Sequence, residues 1–245
     1  KPVIPVVIAS ARMEAREPKP GPAPGFPLIR GLVVRYFYRD PAAAERFYAD
    51  LIGLRPAGPG LFQGSVAASL PISPLEEAGA DADASPLATL PLAMDEVDGW
   101  FAYLKSKGVK MRSELKNATR HLTRGFVAID PEGHLLEFET FMNDPQNAKL
   151  HDALRSIEPL FPAPGDKSDR PRELGIRANI LWLYYRDIAA ARRFFEDKLS
   201  AGLLVDQGFA NVMTASPSGF IGLVDGARGR RGRRGNPSNR GRRRR

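Results

Sequence analysis

Ten residues recur almost unchanged 147 positions apart: Tyr38 to Phe47 reads YRDPAAAERF and Tyr185 to Phe194 reads YRDIAAARRF, eight of the ten identical. Internal duplication explains this where chance does not, and it restricts the chain to folds assembled from repeated modules. Each copy follows a β-branched and aromatic run and opens on an aspartate suited to cap a helix. In the first copy Pro41 takes the first helical position, where its missing N–H costs nothing. The spacing predicts a helix from Pro41 to about Ile52, with Ala44, Phe47, Tyr48 and Leu51 on its apolar face and Gly53 ending it.

The rest of the chain fits the same unit. Strand-like runs at Leu61 to Gln63 and Ser65 to Ile72 complete the first module, and a polar, small-residue stretch from 73 to 86 follows. The pattern then restarts with a strand from Leu87 to Met94. A helix carries the stripe Val97, Trp100, Phe101 and Leu104 and closes at Gly108. A strand from Val109 to Leu115 and a polar loop from Lys116 to Gly125 lead into FVAIDPEGHLLEFETF, Phe126 to Phe141, in which two β-forming runs flank a tight reversal at Asp130-Pro131-Glu132-Gly133. Ala148 to Ile157 has helical spacing, and proline-rich sequence from Pro159 to Pro171 separates it from the third module. That module continues with strands at Leu203 to Asp206, Ala210 to Ala215 and Phe220 to Val224, with a turn at Ser216 to Gly219.

Within the hairpin, Leu135, Glu137, Glu139 and Phe141 share one face, because side chains alternate across a strand. A mid-strand carboxylate at Glu137 costs free energy unless it is paired, protonated, bound to a metal or facing a wet cavity. That makes it the leading candidate for a functional group, catalytic or ligating.

Composition removes several classes. With no cysteine there are neither disulfides nor thiolate metal sites, and three histidines leave little for a His-rich site. The net charge of +8 resides in the tail: ten arginines and no acid lie between Arg228 and Arg245, so subtracting ten leaves about −2 for the remainder. Alone, such a tail is disordered. It is either a nucleic-acid-binding segment acting by phosphate neutralisation or the trace of a truncated or frame-shifted reading of a longer protein. No run reaches the roughly 18 apolar residues of a membrane span. Lys1, the apolar PVIPVVIA and Ala9-Ser10-Ala11 are either a signal remnant, implying export, or a disordered leader, which favours a cytoplasmic protein.

Taken together, the strand-to-helix junction FYRDPAAAERFYADLIGL and the hairpin AIDPEGHLLEF resemble the vicinal oxygen chelate superfamily, which includes glyoxalase I, bleomycin-resistance proteins and extradiol dioxygenases. The resemblance implies an α+β fold in which paired βαβββ modules form a curved mixed sheet with helices outside. The division expected is a proline-rich leader at 1–28, a two-module domain at 29–141, a helix and proline-rich linker at 142–173, a third, incomplete and unpaired module at 174–227, and the Arg/Gly-rich tail at 228–245. A lone module leaves its inner face open, so the third is expected to pack on the first pair, to pair with the same module of another chain as a homodimer, or to be poorly ordered.

The resemblance also implies a divalent metal held by first-strand and last-strand side chains. The matching first-strand positions are Val33, near Thr89, and Ile180; the last-strand positions are Ala67-Ala68, Glu137 and Gly222-Leu223. Only Glu137 can ligate, unless loop residues such as His121 or His134 contribute; His134 otherwise reads as a turn residue, and His121 and His151 as solvated. Strand parity points Val33, Arg35 and Phe37 into a cavity, with Thr89 and Ala93, with Leu135, Glu137 and Glu139, and with Trp182 and Tyr184 from the third module. Arg35 and Glu137 would share that space, either as a buried ion pair or as grips on a ligand. The expected function is therefore small-molecule binding at Arg35, Phe37, Thr89, Glu137, Glu139, Trp182 and Tyr184 without a complete metal site. The alternatives are a divalent-metal lyase, isomerase or dioxygenase using Glu137, and nucleic-acid association through the tail.

Overall fold

The computed structural model describes residues 29–81, 88–91, 96–115, 122–163 and 165–226. The leader, His121, Ala93 and the arginine tail lie outside them. The architecture is mixed α+β and is built three times from one plan. The first module holds β1 (Leu32–Val33), β2 (Tyr36–Tyr38), α1 (Pro41–Arg46), β3 (Arg55–Gly58), β4 (Leu61–Ser65) and β5 (Ala68–Pro74). The second holds β6 (Ala88–Pro91), α2 (Val97–Ser106), β7 (Lys110–Ser113), β8 (Thr123–Ile129) and β9 (Leu135–Phe141). After α3 (Ala148–Arg155) comes the third, with β10 (Asn179–Tyr185), α4 (Ile188–Leu199), β11 (Leu203–Asp206), β12 (Ala210–Thr214) and β13 (Gly219–Asp225).

The duplicated motif acts the same way in both copies. Asp40 Oδ1 accepts from the Ala43 amide at 3.0 Å and Asp187 Oδ1 from the Ala190 amide at 2.8 Å, each satisfying an orphan N–H of the first helical turn. Helix α1 is short because the chain widens into a π-helical turn over Phe47–Leu51, after which Gly53 takes a left-handed φ of 67°. Ala44 and Tyr48 of the predicted apolar face are fully buried, and Phe47 and Leu51 pack on the same core.

Strand parity in the leading strand is as the alternation requires. Val34, Tyr36 and Tyr38 are buried, while Val33 and Arg35 are exposed and Phe37 is half-buried. In β9, Leu136 and Phe138 join Trp100 and Leu104 of α2 in the main core, and Phe126 stacks on Phe138 with ring centroids 4.9 Å apart. Glu137 and Glu139 therefore point to the opposite, inner face of the sheet.

In every module the first strand runs parallel to the last, which continues antiparallel through the third to the second. The partnership between modules departs from the sequence expectation. Strand β6 pairs antiparallel with β10, so the second and third modules share one eight-stranded sheet ordered β11-β12-β13-β10-β6-β9-β8-β7. The first module forms a separate five-stranded arrangement, making it the unpaired one. The inner face of the third module is closed from within: Leu150 and Leu154 of α3, with Ile157, are buried together with Ile180, Val205, Val212 and Phe220. Leading strands in all three modules have similar β-forming edges, so their sequences specify that edges pair and leave open which ones. No helix among the described residues is long and apolar enough to cross a membrane.

Candidate functional site

On the inner face of the eight-stranded sheet the carboxylates of β9 lie on a strand paired directly with the junction strand β6. Register places Val127, Glu137, Thr89 and Ile180 side by side across β8, β9, β6 and β10. One step further along β9, Glu139 lies between Gly125 and Pro91. Gly125 is required there, because a side chain would press its Cβ on the Phe138 carbonyl and on Glu139 itself.

Glu139 is 6% exposed, and among the described residues its Oε2 has no hydrogen-bond partner. Burial pushes its carboxyl well above the usual carboxylate range, the neighbouring Glu137 pushes it further, and a hydrogen bond with the Thr123 side chain opposes both. The shift favours the protonated form, which can donate as well as accept, beside a second carboxyl. Glu137 itself is half-buried. From the third module Trp182 lies over Gly222, leaving no room there for a Cβ, and its Nε1 is buried without a partner among the described residues. Tyr184, on the same face of β10, is exposed.

These residues do not fit a divalent metal. The positions beside Glu137 in its row are Thr89 and the buried, apolar Ile180, and the position on β13 opposite Ile180 is Phe220. No group of three or more His, Cys, Asp or Glu among the described residues could hold an ion, and divalent cations need about three protein ligands or more.

Arg35 and Phe37 stand elsewhere, in the first module. The Arg35 guanidinium hydrogen-bonds the Ser73 hydroxyl and lies 4.0 Å from Glu77, so it answers a different carboxylate from the one parity suggested. Phe37 is half-buried, and its carbonyl bonds His134 Nε2 at 3.1 Å. His134 is thus more than a turn residue: its ring packs against Tyr36 and Tyr38 at centroid distances of 4.8 and 4.7 Å. His151, expected in solvent, is buried with Nε2 2.8 Å from the Phe141 carbonyl, because α3 folds onto the inner face.

One cluster escaped the sequence reading although both of its motifs were in view. The Tyr38 hydroxyl donates to Asp130 Oδ2 at 2.5 Å; the Tyr48 hydroxyl lies 3.0 Å from that of Tyr38 and donates to the same carboxylate oxygen at 3.2 Å. Asp130 Oδ1 meanwhile accepts from the Glu132 and His134 amides, shaping the turn. Burial, reinforced by the adjacent aspartate, raises the pKa of both phenols well above the ordinary value. Glu132 also accepts from the Asp40 amide at 2.7 Å. The repeated strand-to-helix junction and the hairpin tip are therefore the two halves of one seam between modules, 92 residues apart in sequence between Tyr38 and Asp130.

Residues 32–138 match the model of the Glyoxalase/Bleomycin resistance protein/Dioxygenase superfamily. Among solved structures, a candidate dioxygenase from Bacillus subtilis is similar with a TM-score of 0.52 and 12% identity, over 80% of this chain and 64% of that one. This chain thus spans less than two thirds of that protein. A lactoylglutathione lyase from Agrobacterium tumefaciens is 22% identical over 44% of this chain and 91% of its own, with a TM-score of 0.36. A glyoxalase/bleomycin resistance protein/dioxygenase from Alicyclobacillus acidocaldarius is 20% identical over 46% and 92%, with a TM-score of 0.37. The search of curated proteins gave no match. The modular fold and the matched segment agree: residues 32–138 carry a domain that matches the Glyoxalase/Bleomycin resistance protein/Dioxygenase superfamily.

Proposed function

We propose that the chain binds a small polar molecule against the inner face of β9, through Glu137 and Glu139 and without a metal ion of its own. The observation that carries this is the unpartnered Oε2 of the buried Glu139. Buried polar atoms are nearly always hydrogen-bonded, and leaving one unpaired costs about 1–3 kcal/mol. A hydroxyl or amide group of a ligand, which both donates and accepts, completes the site. Glu137 adds an acceptor alongside, and Trp182 offers a second unpaired donor on the same face.

A thermal-shift screen of hydroxyl- and amide-bearing compounds tests the proposal on wild type, Glu137→Gln and Glu139→Leu. Compounds that raise the melting temperature of wild type should lose most of that shift in Glu139→Leu, which cannot hydrogen-bond. Shifts that survive in both variants would place binding elsewhere and contradict the assignment.

A further inference from the structure

We infer that a cleft between the first module and the segment after α3 is a site for a small inorganic anion, about the size of chloride, held between the guanidinium groups of Arg170 and Arg55. Residues 53–55 and 63–64 form one wall, and Leu160, Phe161, Asp166, Arg170 and Ile176 form the other. The cleft shares no residue with the candidate site on β9. Arg170 is 4% exposed, and its two terminal nitrogens donate to the Ile52 carbonyl at 3.4 Å and the Leu160 carbonyl at 2.9 Å. Its guanidinium carbon stands 5.5 Å from the centre of the Trp100 ring. These contacts fix the group between both walls, yet none of them supplies a negative charge.

Among the described residues Arg170 makes no ion pair, and its Nε is buried without a hydrogen-bond partner. Buried charges are ordinarily paired. Burial lowers the pKa of the group to about 10; Asp166, Glu96 and Tyr103 oppose that without cancelling it, and Arg55 adds to it as a second cation nearby. Two of the three charged side chains in the described lining are therefore guanidinium groups, and the third, Asp166, already accepts from the Ser168 amide at 2.8 Å. Arg55 is exposed on β3 and makes no ion pair among the described residues, and Gln63, its partner in register, brings a side-chain amide to the same cleft. An anion here accepts the Nε proton and offsets the buried charge at once, which a water molecule cannot do. The cavity measures about 10 Å³, close to the least that takes one water-sized species, so a halide suits it and sulfate or phosphate does not.

Chloride itself is the probe. The full chain is titrated with sodium chloride at constant ionic strength, balanced with sodium gluconate, and binding is read from the linewidth of the chloride NMR signal. Wild type should show excess broadening that saturates. Arg55→Gln should need about three- to fivefold more chloride for half-saturation, as expected for the loss of one exposed charge partner. Arg170→Gln should remove the saturable part altogether. The ten arginines of the tail are common to all three proteins and cancel in the comparison. Arg55 lies outside the core, so the comparison of wild type with Arg55→Gln stands even where Arg170→Gln fails to fold. Broadening in wild type that rises without saturating overturns the proposal. Half-saturation that is the same in Arg55→Gln, or a saturable part that survives in folded Arg170→Gln, places the ion elsewhere and overturns it equally.

Discussion

Glu139 couples the stability of the fold to pH in a direction opposite to that of most carboxylates. Its folded pKa lies above the unfolded value of about 4.3, so the native state holds a proton that the unfolded chain releases. The favourable contribution is fully present below the unfolded pKa and is lost as pH rises towards the folded one. Glu139→Gln keeps the shape and removes the titration. The variant should melt higher than wild type at pH 7, by about 2–4 °C for each kcal/mol recovered, and the difference should vanish near pH 4. A wild type that gains stability across this range relative to the variant would show Glu139 to be ionised in the fold. Sequence located this residue through strand alternation alone, which also placed Glu137. Alternation alone does not tell which residues of a distant strand a side chain meets: it sets Arg35 and Glu137 in one space, as an ion pair or as two grips on a ligand, whereas the partners of Arg35 are Ser73 and Glu77.

Elements in this chain are held by glycines and turn chemistry as much as by apolar stripes. Gly222 is one case: Trp182 occupies the space that a Cβ would need. Gly222→Ala should displace the indole, cost about 1–3 kcal/mol, and shift tryptophan emission, an effect absent from the same substitution in a Trp182→Phe background. The hairpin tip is another. Tyr38→Phe takes the stronger of two phenol hydrogen bonds from the buried Asp130 carboxylate and should cost about 1–3 kcal/mol in urea unfolding. Tyr48→Phe should cost less, and the double variant less than the sum, since the three groups form one network. Helix junctions and the hairpin were legible because each is specified by neighbours in sequence: Asp40 with Ala43, Asp130 with His134. Strand β3, Arg55–Gly58, was not, since RPAG carries no alternation and is exposed throughout. The burial of His151 was not either, for it depends on where α3 comes to rest.

At the level of the whole molecule, three repeats of one unit produce one shared sheet and one module left over. Repetition was plain in the sequence, whereas the pairing was not, because edges that are chemically alike are distinguished only by what packs on them. Helix α3 closes the inner face of the third module, and the Tyr38, Tyr48 and Asp130 seam fastens the first module to the hairpin of the second. The ligand site proposed on β9 has in its row through Glu137 one carboxylate, with Thr89 and Ile180 at the neighbouring positions. Metal content is therefore the most direct test of a ligand site without a metal ion of its own. Elemental analysis of protein purified without chelator, wild type beside Glu137→Gln, should find no stoichiometric divalent metal in either. Metal near one equivalent in wild type that disappears in Glu137→Gln would contradict the account and restore a metal centre completed by residues other than those in the Glu137 row.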